Sequence, residues 1–178
     1  ISGTYMPFAD CDRKKSVTGL GYMKTLGGFI RQGHGKDVLA KILDISRGYA
    51  DGLEHQFLGM AGEVQNDAAL HFFNAGFKWP EGVYYAQPPL LFNEKTGEKR
   101  FYEVPEHLMI LPNDGSGTMR KSDIVEMVKT VYNYWMIIPH ENNPRMSKEA
   151  IANIKDYVWG KVFREFMESV EIIPGDTC

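Results

Sequence analysis

Asp10-Cys11-Asp12-Arg13-Lys14-Lys15-Ser16-Val17-Thr18 is the stretch on which the reading of this chain turns. Side-chain oxygens stand at Asp10, Asp12, Ser16 and Thr18, and the β-branched Val17 lies between the last two. A hard cation takes roughly six to eight oxygens, and alternate side chains of a tightly curled loop converge on one point. An apolar residue late in such a loop lets two loops pair through a short bridge. Downstream, Leu20, Met23, Leu26, Phe29 and Ile30 recur at helical spacing, which predicts a helix over 20–32. Gly33-His34-Gly35 then breaks it.

The same spacing extends outward. Val38, Leu39, Ile42 and Leu43 predict a second helix, and Phe57, Leu58 and Met60 predict a third that begins near Leu53. Ala69, Leu70, Phe72 and Phe73 place another over 66–77, with more near 103–110 and from about 122 to 136. From 147 to 170, Ile151, Ile154, Val158, Val162, Phe166 and Val170 form one stripe, with Ser147 as the N-cap after Pro144. Such a stripe reads as core. The strand signal lies between the helix-breaking Trp79-Pro80-Glu81-Gly82 and Pro88-Pro89 and residue 103. There Leu90-Leu91-Phe92 and Arg100-Phe101-Tyr102 flank a polar turn and read as a β-hairpin.

A second acidic turn, Asp114-Gly115-Ser116-Gly117-Thr118-Met119, is followed by Asp123 and lies between the apolar runs 108–111 and 124–128. With the first, it resembles the loops of EF-hand pairs in calmodulin-like proteins. The resemblance covers residues 8–60 and 106–128. It implies cation ligands at Asp10, Asp12, Ser16 and Thr18 in one loop and at Asp114, Ser116, Thr118 and Asp123 in the other. A weaker loop runs from Asp44 to Glu54 with one extra residue. The ligand sets are damaged. Lys15 stands where the turn glycine belongs, Lys14 replaces an oxygen, Gly21 replaces the closing glutamate, and Pro112 occupies the first place of the second loop. The resemblance therefore implies no cofactor, or weakly bound calcium.

Composition narrows the function classes. The 178 residues are 43% hydrophobic, enough for a core, and 20 basic against 23 acidic side chains leave a net charge of -3. No basic field exists to hold a nucleic acid, and runs such as Tyr134–Ile138 are too short to span a bilayer. Cys11 and Cys178 set no disulfide framework; one bridge or two free thiols both fit. Ile1 points to a processed chain or one cut from a longer protein. The five histidines show no zinc spacing, and Glu54-His55 with Glu63 and His71 lacks the spacing of di-iron helices. Gly19-Leu20-Gly21 and Gly33-His34-Gly35 match no phosphate loop, since no Gly-Lys-Ser/Thr follows.

The expected fold is mainly α: EF-hand-like helix-loop-helix units with a central β-hairpin and a long C-terminal helix. The expected organisation is an N-terminal pair over 1–65, a second lobe with the hairpin over 66–140, and a C-terminal helix and tail over 141–178. The expected function is non-catalytic: a light-chain-like accessory subunit that holds a partner helix in an apolar groove, with contacts from Met23, Phe57, Met60, Met127 and Met136. The alternative is an enzyme or small-molecule sensor with a pocket near the histidines and the aromatics Trp79, Tyr84 and Tyr85.

Overall fold

The computed structural model describes residues 2–8, 14–22, 34–64, 66–80, 83–87, 90–92, 99–101, 104–105, 107–115 and 119–171. Its centre is a four-stranded mixed sheet in the order β1-β2-β3-β8, built from Ser2–Pro7, Lys15–Tyr22, Gln56–Val64 and His107–Pro112. β1 and β2 pair antiparallel, β2 and β3 pair parallel, and β3 and β8 pair antiparallel. The parallel pair requires a crossover, and α1 (His34–Gly52) provides it.

This overturns the mainly α, EF-hand-like expectation. The stretch from Lys15 to Tyr22 is a strand, not a cation loop opening a helix, and Gln56–Val64 is a strand where a helix was expected from Leu53. The expected helix near 103–110 is also replaced, by β7 (Val104–Pro105) and most of β8. Lys15, Val17 and Gly19 face one way and Ser16, Thr18 and Leu20 the other, the period of a strand. The sheet joins strands from both sides of residue 65.

Both faces of the sheet are covered, and β3 and β8 read as nearly continuous apolar runs. On one face Leu39 and Ala50 of α1 pack with Leu20, Phe57, Met60, Val64 and Met109, with Phe72 of α2 (Asn66–Asn74) against them. On the other, Met6, Val17, Ala61, Leu108 and Ile110 meet α3 (Lys121–Tyr132), α5 (Lys148–Tyr157) and α6 (Phe163–Glu171). α4 is the short turn Ile138–Glu141. Two π-helical turns, Asn133–Ile137 and Val158–Val162, lengthen α3 and join α5 to α6. Of the predicted stripe, Ile154, Val158, Val162, Phe166 and Val170 are buried and Ile151 is half-buried, and the Ser147 side chain accepts from the Ala150 N–H at 3.1 Å. Phe57, Met60, Met127 and Met136, expected in an exposed groove, are core residues.

Smaller pairings complete the fold. β4 (Ala86–Gln87) pairs with β7, and β5 (Leu90–Phe92) with β6 (Lys99–Phe101), the hairpin expected from the sequence. Lys78 bridges to Ile110 through two 2.7 Å backbone bonds. No helix among the described residues is long and apolar enough to cross a membrane.

Candidate functional site

Strand pairing between β2 and β3 ends at Leu20 and Gly62, although both strands continue. Beyond that point Tyr22 pairs with Ser2 of β1, while Glu63 and Val64 pair with Leu108 and His107 of β8. The two central strands therefore part company at their carboxyl ends. Backbone N–H and C=O groups are obligatory hydrogen-bonding groups, and a buried one without a partner is costly. At the last pair, a Cβ on Gly62 would meet Leu20 Cβ at 3.6 Å and Phe72 Cε1 at 3.7 Å, ordinary packing distances.

α1 crosses from β2 to β3, and Leu39 near its beginning packs in one cluster with Leu20 and Val64 at this end of the strands. The connection from β2 carries Gly27, Gly28 and Gly33, and the helix opens with His34-Gly35-Lys36. The first N–H groups of a helix lack intrahelical acceptors, and the aligned peptide dipoles make this end positive. A helix end of this kind, following the carboxyl end of a parallel strand, is able to take an anion. The sequence marks Gly33-His34-Gly35 as a helix breaker and sets it aside as a phosphate loop because no Gly-Lys-Ser/Thr follows.

One face of the gap carries a carboxylate among aromatic rings. Glu63 follows Ala61 by two residues and shares its face, that of α3. The Tyr85 hydroxyl donates to Glu63 Oε1. The Tyr85 ring stacks on Tyr132 with centroids 5.4 Å apart, and Tyr132 anchors itself by donating to the Ala86 carbonyl at 2.9 Å. Trp135, from the π-helical turn after α3, lies against Gly19 so closely that a Cβ there would sit 2.5 Å from Trp135 Cζ2. Gly19 pairs with Ala61, one position short of the parting. A glycine at this point lets the indole reach the strand.

The residues expected to bind a cation are dispersed. Ser16 and Thr18 lie in β2; Thr18 donates to Ser46 Oγ of α1 at 2.7 Å, and Ser16 Oγ is buried without a partner among the described residues. Asp114 is in the turn after β8, and Asp123 in the first turn of α3 accepts from Lys15 Nζ. Asp10, Asp12, Ser116 and Thr118 lie outside the described residues, as do Cys11, Cys178 and Met23. Among the described residues, no group of three or more His, Cys, Asp or Glu side chains is placed to share a metal ion.

The histidines are dispersed as well. His34 and His71 lie on α1 and α2, His55 bonds Tyr5 at 3.0 Å, His107 lies against Trp79, and His140 Nδ1 contacts the Met136 carbonyl. Sequence reasoning weighed Tyr85 only as a groove or anchor residue, weighed Glu63 only as a metal ligand, and missed Tyr132 and Trp135. A scan against protein-family models and searches of curated proteins and of solved structures return no match.

Proposed function

We propose that the protein is an acyltransferase that takes an acyl group from a coenzyme A thioester held between β2 and β3 and passes it to an amine. The observation that carries this reading is the end of β2–β3 pairing at Leu20 and Gly62, with Leu39 near the start of α1 packed at that end of the strands. A ligand for this place needs two features. It needs an anionic group for the helix end and a thin, extended arm with amide groups that can bond strand edges as an added strand would. The phosphopantetheine part of coenzyme A has both, and it carries a transferable acyl group on its terminal sulfur. Nucleoside triphosphates and nicotinamide dinucleotides lack the amide arm, and the Gly-Lys-Ser/Thr of a triphosphate loop is missing after these glycines.

Glu63 fits the role of proton acceptor. The amine nitrogen attacks the thioester carbonyl carbon, and the adduct holds an N–H made acidic by its positive charge. A carboxylate is a strong enough base to take that proton. Collapse of the adduct breaks the C–S bond, and the departing thiolate takes up a proton, so the products are an amide and a free thiol. Tyr85 holds the carboxylate, Tyr132 backs the Tyr85 ring, and Trp135 covers the strand at Gly19, one pair before the gap.

Calorimetry with coenzyme A and acetyl-coenzyme A, followed by thiol-release assays over a panel of primary amines, tests the reading. Binding and amine-dependent thiol release are expected. Glu63→Gln should leave cofactor affinity intact and lower turnover by about 10²–10⁴-fold. Lys36→Glu, at the exposed start of α1, should weaken binding about tenfold by repelling phosphate without harming the helix. Absence of binding would overturn the proposal. Binding without turnover would make the chain a small-molecule sensor.

A further inference from the structure

We infer that a second ligand site, for a short zwitterionic peptide, lies at the opposite end of the sheet. The amino ends of β2 and β3, the end of α1, the turn after β8 and the approach to α3 line a half-open cleft of about 750 Å³. That lies within the roughly 300–1,000 Å³ range of small-molecule sites. It is far too large for a structural water and does not reach the parted ends of β2 and β3.

The charges on its walls select the ligand. Lys15 and Asp123 both line it and are each more than nine-tenths buried, but they bond one another and are neutral together. Arg47 is committed too: its Nη2 donates to the Asn113 carbonyl at 2.9 Å, and Nη1 lies 3.4 Å from Asp44. His55 bonds Tyr5 and Asp114 has a polar contact of its own, which leaves the Arg120 guanidinium and the Asp51 carboxylate, both exposed, with no side-chain partner among the described residues. They come from different walls, the approach to α3 and the last turns of α1. An anion would satisfy only the first and a cation only the second. A ligand with a carboxylate and an ammonium a few bonds apart satisfies both, and a charged group held by hydrogen bonds binds more strongly than a neutral one. Phe57, Leu58, Pro112 and Met119 line the same cleft and add apolar surface, which suits aliphatic side chains. A dipeptide or tripeptide with free termini has this pairing of opposite charges with an apolar body.

Leucylleucine serves as the probe, titrated into the intact chain and followed by amide chemical shifts in nuclear magnetic resonance. Saturable shifts are expected at residues lining this cavity and not at Leu20, Gly62 or Glu63. N-acetyl-leucylleucine, without the ammonium, and leucylleucine amide, without the carboxylate, should each bind about tenfold more weakly. Arg120→Ala should weaken the free peptide to the level of the amide and leave the amide unchanged, and Asp51→Ala should do the same for the acetylated form. Both substitutions are at exposed positions, so the fold is retained. Shifts that do not saturate, shifts centred on the β2–β3 gap, or equal binding of capped and free peptides would each overturn the inference. So would variants that bind as the unaltered chain does.

Discussion

Lys15 and Asp123 stand 108 positions apart in the chain and meet where β2 begins, 6% and 7% exposed. The loop reading placed one at a turn and the other as a closing ligand; in the fold each is the other's counter-ion. A buried charge left alone costs far more than the pair contributes. Lys15→Met should therefore lower stability by about 3–5 kcal/mol, and adding Asp123→Leu should recover most of that loss, as urea unfolding midpoints would show. Gly59 sets a different constraint. Its φ of +140° is closed to other residues, and a Cβ would collide with the Leu111 carbonyl oxygen. Gly59→Ala should cost about 2 kcal/mol or more in the same assay. Neither feature was legible: a residue's long-range partner leaves no local mark, and a strained glycine looks like any other.

At the scale of the element, helices with one covered face were readable and doubly covered strands were not. α2, the first half of α1 and the run from Ser147 announced themselves by spacing, and Ser147 also by its capping chemistry; the second half of α1, to Gly52, is helix where a weak cation loop was expected from Asp44. Replacing it with Ala should destabilise the protein by about 1 kcal/mol, measurable by thermal or chemical unfolding. Phe57-Leu58-Gly59-Met60-Ala61, by contrast, is apolar throughout because helices press on both sides of β3, so no alternation survives to distinguish it from a helix. Gly19 and Gly21 further blunt the strand signal of β2. Hairpin β5–β6 was found because its turn chemistry is local. The π-helical turn Asn133–Ile137 is invisible in sequence, yet it sets the position of Trp135 against Gly19.

The candidate site belongs to the whole molecule, which explains why so little of it was foreseen. Gly33-His34-Gly35 means little until β2 precedes it, and Glu63, Tyr85 and Tyr132 meet only once sheet and helices have assembled. The proton balance is likewise global. Burial holds the His107 imidazole below its usual value of 6.5. As pH falls, the unfolded chain takes up this proton first, so the folded state loses stability below that value. The melting temperature should drop between about pH 7.5 and 5.5, and His107→Gln should drop less over the same interval. The β3–β8 pairing has one more consequence. Strand β3 ends at residue 64, but its second neighbour is not complete until Pro112. During synthesis the ribosome must release nearly fifty further residues before the sheet can close, and until then an apolar edge stays open to chaperones or to a neighbouring nascent chain.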